Sequence, residues 1–154
     1  DIGGVKKKIQ EIIPHAIYVH CYAQRVNLVL VDVCKREQIA RDFFELIQSL
    51  YIYMFSAIPH AKFCATQAVL HPGKVAVELK RIIDTRWTCQ FAAIDAIKKR
   101  FSALLNTLEE LSSTSVAGCS DRAIMALELL NQICNFKFVL SLEIFIFYLM
   151  ISTE

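Results

Sequence analysis

Glycine and proline are scarce in this chain, at 4 and 3 of 154 residues. Tight turns draw on both, so an all-β protein built on many such turns is disfavoured. Charge is sparse too: charged residues make up 21% and the net charge is +2, so no global basic field marks a nucleic-acid binder and any basic patch has to be local. There is no Gly-rich phosphate loop, Gly3-Gly4 being a very weak signal. The 6 cysteines, at 21, 34, 64, 89, 119 and 134, form no CxxC or CxxH pair, which argues against a zinc finger of the usual spacing. The start, DIGGVKKKIQEII, lacks the apolar run of a secretory signal. Reduced thiols in an intracellular protein are therefore expected, several of them buried as small hydrophobes. The most apolar stretch, Phe138 to Ser152, is shorter than the ~20 residues of a bilayer span and contains Glu143, so a buried helix is expected there and no membrane contact.

What the chain does have is hydrophobicity, 55% of residues, enough for one domain with a sizeable core and incompatible with intrinsic disorder. Val5 to Ile13 reads as a short basic helix stopped by Pro14. Ala16 to Val19 is a short β-prone run, and Val26 to Val33 is ambiguous: β-branched content argues strand, continuity into the next helix argues helix. From Gln38 to Ser56, Ile39, Phe43, Leu46, Ile47, Leu50 and Met54 fall at helical spacing; Pro59 breaks or restarts the helix, which then runs to Leu70. His71-Pro72-Gly73 is a turn. Phe91 to Leu111 reads as one long amphipathic helix, and Ser112 to Cys119 as a mobile loop. A last helix, capped by Ser120 or Asp121, turns Ile124, Leu127, Leu130, Ile133 and Phe138 inward.

No constellation forces chemistry. His20 and Cys21 would point to opposite faces of a strand, so the two do not readily reach one ion, and Cys21 has no local base or oxyanion signature for nucleophilic catalysis. His60 and His71 read as isolated, solvated side chains near turns. Asp32, Asp84 and Asp95 are explained by ordinary ion pairing, whereas a two-metal nuclease needs several converging carboxylates. The unusual tetrad is Asp84-Thr85-Arg86-Trp87, with the chain's single Trp. An Arg-Trp pair can stack on an unpaired base while the guanidinium holds a phosphate; equally, the Trp can anchor a core beside a helix start. Lys80 and Arg81 add basic neighbours.

The segments Gly3 to Lys35, Phe43 to Ser56, Leu79 to Ile97 and Leu129 to Phe145 together resemble hAT-superfamily transposase-like proteins, in particular the zinc finger MYM-type protein 1-like group. This resemblance implies a mainly α chain: residues 1–36 as a partial RNase H-like core segment with one or two short strands, leading into a helical insertion over 37–154. Such proteins cut DNA with three metal-binding acids, two upstream of the segment matching Gly3 and one beyond the insertion, and Asp1 lacks the Asn-containing sequence that follows the second. The last core strand of the family ends in a Cys-x-x-His pattern, which Cys21 matches and Gln24 does not, so whatever that His contributes is lost or changed. The insertion's Arg-Trp pair matches Arg86 and Trp87, and in related transposases this Trp is associated with a flipped base near the DNA end. The resemblance also decides Val26 to Lys35 in favour of helix.

The sequence thus leads us to expect a degenerate or partial transposase-derived chain, non-catalytic and nuclear, without cofactor or metal. It would keep residual DNA contact through Trp87, Arg86, Lys80 and Arg81, or protein contact, with self-association through the C-terminal apolar helix. A co-opted helical protein-interaction module is the second reading. A piece of an active transposase, its acids outside this chain, is the third. The first two share an expected outcome. Incubation of this chain with single- or double-stranded DNA and magnesium or manganese yields no cleavage, and cutting that a single substitution in this chain abolishes would overturn it.

Overall fold

Large apolar side chains at three- and four-residue spacing put one face of each helix toward its neighbours, and the fold follows from covering those faces. A computed structural model of the chain describes residues 4–17, 19, 21, 22, 25, 28, 29, 32, 36–82, 87–113 and 120–151, with backbone alone at 87, 88, 120, 149 and 151. The helices are α1 (Val5–Ile12), α2 (Gln38–Phe55), α3 (Ala57–Leu70), α4 (Trp87–Lys99), α5 (Phe101–Ser113), α6 (Ser120–Ile133) and α7 (Phe136–Ile151). Tyr22, Arg25, Leu28, Val29, Asp32 and Arg36 are helical as well.

There is no strand among the described residues, which overturns the expected RNase H-like core segment. Ala16, Ile17 and Val19 are irregular: the Ala16 amide donates to Ile13 O at 3.0 Å in a turn, and Ile17 is 88% exposed. β-Propensity alone cannot hold an extended run whose backbone finds no neighbouring strand. Cys21, expected at a strand end, instead starts a helical turn, its carbonyl accepting from the Arg25 amide at 3.0 Å. Gln24 lies outside the described residues.

The core is built by α2 to α7. Phe43, Ile47 and Leu50 of α2, Phe63 of α3, Ile94 and Ile97 of α4, Leu104 and Leu108 of α5, Ile133 of α6 and Leu142 of α7 are buried together. α5 packs along α6 and against α3, while α7 lies on α4. Phe43 sits at the aromatic centre, its ring 4.9 Å from Phe145 and 5.3 Å from Phe138, a spacing that adds to plain area burial. Between α2 and α6, the buried Tyr53 hydroxyl donates to Arg122 O at 3.1 Å. Burial pushes that hydroxyl's pKa up, with the Arg122 charge opposing. None of the residues of α1 is buried, so its apolar side (Val5, Ile9, Ile12) faces solvent.

Three helix boundaries depend on local chemistry. Ser56 is extended (φ −70, ψ 148), ending α2, and α3 restarts with Pro59 in its first turn, where the missing amide costs nothing. The single helix expected from Phe91 to Leu111 is two, broken at Arg100, whose amide makes a tight bond to Ile97 O at 3.2 Å. The last helix is also two: Asn135 Oδ1 accepts the Lys137 amide at 2.9 Å and caps α7, and α6 meets α7 at a 66° bend. Among the described residues no single helix is long and apolar enough to cross a membrane, although α6 and α7 pass that test as a bent pair by length and composition.

The face of α6 is also rotated from expectation. Ala126, Leu129 and Ile133 are buried, but Ile124 and Leu127 are 51% and 49% exposed. Ile133→Ala is therefore expected to lower stability by about 2–5 kcal/mol. Ile124→Ala on the same helix should stay within about 0.5 kcal/mol. Urea unfolding of the two variants checks this, and equal losses would contradict the observed face.

Candidate functional site

Residues 71–82, which follow α3, have no regular structure, yet they are held in place. The turn at His71-Pro72-Gly73 needs a left-handed residue, and Gly73 supplies it with φ 76. Residues 75–82 then run as an irregular strap across α2 and α3. Their backbone groups are met by side chains. The Gln67 amide, buried on α3, donates to Val77 O at 3.2 Å and accepts from Val77 N at 2.8 Å. Gln48 Oε1 accepts from Ile82 N at 3.2 Å. Arg100, at the α4–α5 break, donates through Nε to Gln67 Oε1 (3.1 Å) and through Nη2 to Val75 O (3.2 Å). Leu79 and Ile82 pack on the core from the same strap.

This anchoring places Glu78 over the first turns of α3. Its Oε2 lies 2.9 Å from His60 Nε2, and Cys64 Sγ lies 3.9 Å from that same nitrogen. One ligand atom from each of the three residues lies within 4.8 Å of the other two, and among the described residues no other such His/Cys/Asp/Glu group occurs. His60 and Cys64 are half-buried and Glu78 is exposed. Tyr51, Met54, Phe55, Phe63 and Leu79 line an apolar recess beside His60 and Glu78. Burial, and secondarily the Glu78 carboxylate, push the Cys64 thiol pKa up. The expectation that His60 and His71 are solvated is thus corrected: His60 faces Glu78, and His71 is half-buried with no hydrogen-bond partner at its Nε2.

The residues singled out for nucleic acid are not gathered into one place by what the structure describes. Lys80 and Arg81 are exposed on the strap, and Trp87 is the first residue of α4. Arg86 lies outside the described residues, as does Asp84. The other singled-out carboxylates are ion-paired along their helices as expected, Asp32 with Arg36 at 2.9 Å and Asp95 with Lys99 at 2.6 Å. Cys21, Cys64, Cys89 and Cys134 are free thiols. A larger cleft, about 170 Å³ and lined by Ile39, Leu46 and Phe138, has only the Asp42–Lys137 pair (3.8 Å) for charge.

The outer side of α7 is a second feature. Phe138, Ser141, Leu142 and Ile146 are buried and Phe145 packs on the core, while Phe136, Leu140, Ile144 and Phe147 are 79%, 46%, 43% and 63% exposed. At 100° per residue these four fall in one lengthwise row. The charge in its midst, Glu143, accepts from Lys98 Nζ of α4 at 2.6 Å.

Sequence reasoning missed the triplet. His60 and Cys64 are four apart on a helix, the spacing that brings two ligands to one face, and that signal was available. Glu78 was not findable, because only the Gln67 and Gln48 anchors bring the strap back over α3.

No protein-family model matches the chain, and no solved structure matches it significantly.

Gln67→Leu keeps most of the side-chain volume but leaves the Val77 amide and carbonyl without partners. The expected loss is about 1–3 kcal/mol of stability. Amide hydrogen exchange is expected to accelerate at Val77 more than at Leu104 of the core. Unchanged exchange at Val77 would show that Gln67 does not hold the strap.

Proposed function

We propose that this chain is a non-catalytic, transposase-derived helical module that acts by binding protein, and that the outer face of α7 binds a second copy of the chain. The observation that carries the reading is the exposed row Phe136, Leu140, Ile144 and Phe147. Full burial of a large apolar side chain is worth about 1.5–3 kcal/mol, and covering what remains exposed on each of these four would yield a part of that. The occupant follows from charge. Glu143 is already paired with Lys98 inside the chain, so the row presents no unmet charge for an acidic or basic partner to match. An isologous contact sets the row against its own copy and requires only apolar complementarity.

The non-catalytic part is supported by the disposition of the acids. Asp42, Asp95, Glu110 and Glu143 are spread over different faces, each in an ion pair with a lysine, and the His60–Cys64–Glu78 group holds only one carboxylate. Contact with unpaired bases through Trp87, Arg86, Lys80 and Arg81 has the exposure of Lys80 and Arg81 in its support and nothing further, so the protein-binding reading is preferred.

Truncation near Ser141 would remove Leu142, Phe145 and Ile146 together with the row and so dismantle the core. The better variant is Leu140→Glu with Phe147→Glu, both on the exposed row. Sedimentation velocity is expected to show the unaltered chain as a dimer at micromolar concentration and the double variant as a monomer of unchanged helical circular dichroism. A clean monomer for the unaltered chain across that range would overturn the proposal, as would a dimer that the double substitution leaves intact.

A further inference from the structure

We infer that His60, Cys64 and Glu78 form a zinc site that clips the strap to α3. The donor set comes first. A thiol sulfur, an imidazole nitrogen and a carboxylate oxygen together suit a borderline-soft divalent ion; a thiolate donor disfavours magnesium and calcium, which take oxygen ligands.

The geometry is already close to what zinc requires. With Zn–N and Zn–O of about 2.0–2.1 Å and Zn–S of about 2.3 Å, tetrahedral coordination sets N and S about 3.5 Å apart and N and O about 3.3 Å apart. The corresponding separations are 3.9 Å for His60 Nε2 to Cys64 Sγ and 2.9 Å for His60 Nε2 to Glu78 Oε2. Both of these pairs are within about half an ångström of target, and the remaining pair, Cys64 Sγ with the Glu78 carboxylate, lies within 4.8 Å, to be drawn in by side-chain rotation.

The support behind the ligands is equally specific. Two ligands share one turn of α3, whose start is fixed by Ser56 and by Pro59 in the first turn. The third is held by Gln67, which grips the backbone of the adjacent Val77 from both sides. An ordinary His60–Glu78 hydrogen bond leaves Cys64 without a role, whereas a metal uses all three groups. Three protein donors leave the fourth position open to water on the solvent side, beside the apolar recess formed by Tyr51, Met54 and Leu79.

Coordination balances simply. The Cys64 S–H proton leaves to solvent as the Zn–S bond forms, and neutral His60 and ionised Glu78 each donate a lone pair. Nothing is oxidised or reduced. The consequence is mechanical, because the ion would tie the strap bearing Lys80 and Arg81 to the helical body at a point additional to Gln67, Gln48 and Arg100.

The test is titration of the chain, under reducing conditions, with cobalt(II) and then zinc chloride. One equivalent of cobalt is expected to give thiolate-to-metal charge-transfer absorption and the intense visible bands of a tetrahedral site, both bleached by zinc and unaffected by excess magnesium. Cys64→Ser should abolish the charge-transfer band. His60→Gln and Glu78→Gln, which retain polar side chains, should each weaken zinc binding at least tenfold. Cys21→Ser and Cys134→Ser, which remove exposed thiols elsewhere, should leave both spectrum and affinity unchanged. Zinc at about a hundredfold over its Kd should raise the unfolding midpoint of the unaltered chain and not that of Cys64→Ser, by linkage. Absence of the charge-transfer band, or a band that survives Cys64→Ser, would overturn the inference. A circular dichroism spectrum matching the unaltered chain certifies that each variant is folded.

Discussion

A single buried amide determines how the irregular part of this chain meets its helical part. Residues 75–82 have no strand to pair with and are not helical, so their backbone groups must be satisfied by side chains or water. Gln67 suits that task because an amide offers a donor and an acceptor side by side, and it meets both groups of Val77 at once. Arg100 completes the arrangement by donating to the same Gln67 oxygen and to Val75 O. The α4–α5 break brings the Arg100 guanidinium to that network. Fold and candidate site therefore share one constraint: shift Gln67, and both the strap and the position of Glu78 over His60 and Cys64 are affected.

Much of the helical body could be read from pattern alone. α2 and α3 were legible because their apolar side chains repeat at helical spacing and Pro59 marks the restart. The breaks at Arg100 and Asn135 were not, because the apolar period continues through them: Ile97, Phe101 and Leu104 across the first, Leu130, Ile133 and Phe136 across the second. What ends those helices is local hydrogen bonding, and the period does not encode it. The Asn135 cap had a sequence signature, a short amide side chain just before an apolar run, that the apolar spacing outweighed. The RNase H-like expectation rested on resemblance together with the β-propensity of Ala16 to Val19. Propensity on a strand describes fit to a pleated, half-buried surface, and Ile17 and Val19 have no such surface to fit.

The site shows the same division. His60 and Cys64 are neighbours because a helix makes them so, which is a local rule that can be applied without a structure. Glu78 joins them through contacts between segments far apart in sequence, and no spacing rule anticipates that. The reading of His60 as isolated failed for this reason. Charge pairing was legible where it was local, as with Asp32 and Arg36 or Asp95 and Lys99, and illegible where it joins helices, as with Lys98 and Glu143 or Lys62 and Glu110.

The two-sidedness of α7 is a consequence of the same limits. Its sequence is apolar around nearly the whole circumference, so hydrophobicity cannot say which side is core. The structure breaks the tie through position: Asn135 sets the starting phase of the helix, and α4 and Phe43 take the side that carries Phe138, Leu142 and Phe145. The opposite row is then left outward by geometry, whatever its composition. In a water-exposed helix that row would ordinarily be polar. Kept as Phe136, Leu140, Ile144 and Phe147, the row leaves between about two fifths and four fifths of each side chain in water, so much of its apolar area does not contribute to the core. The surface ion pairs cannot compensate for it, being exposed and each worth at most about 1 kcal/mol. The exposed apolar area of α7 is thus fixed by the phase at which the helix starts and by the side that α4 and Phe43 occupy.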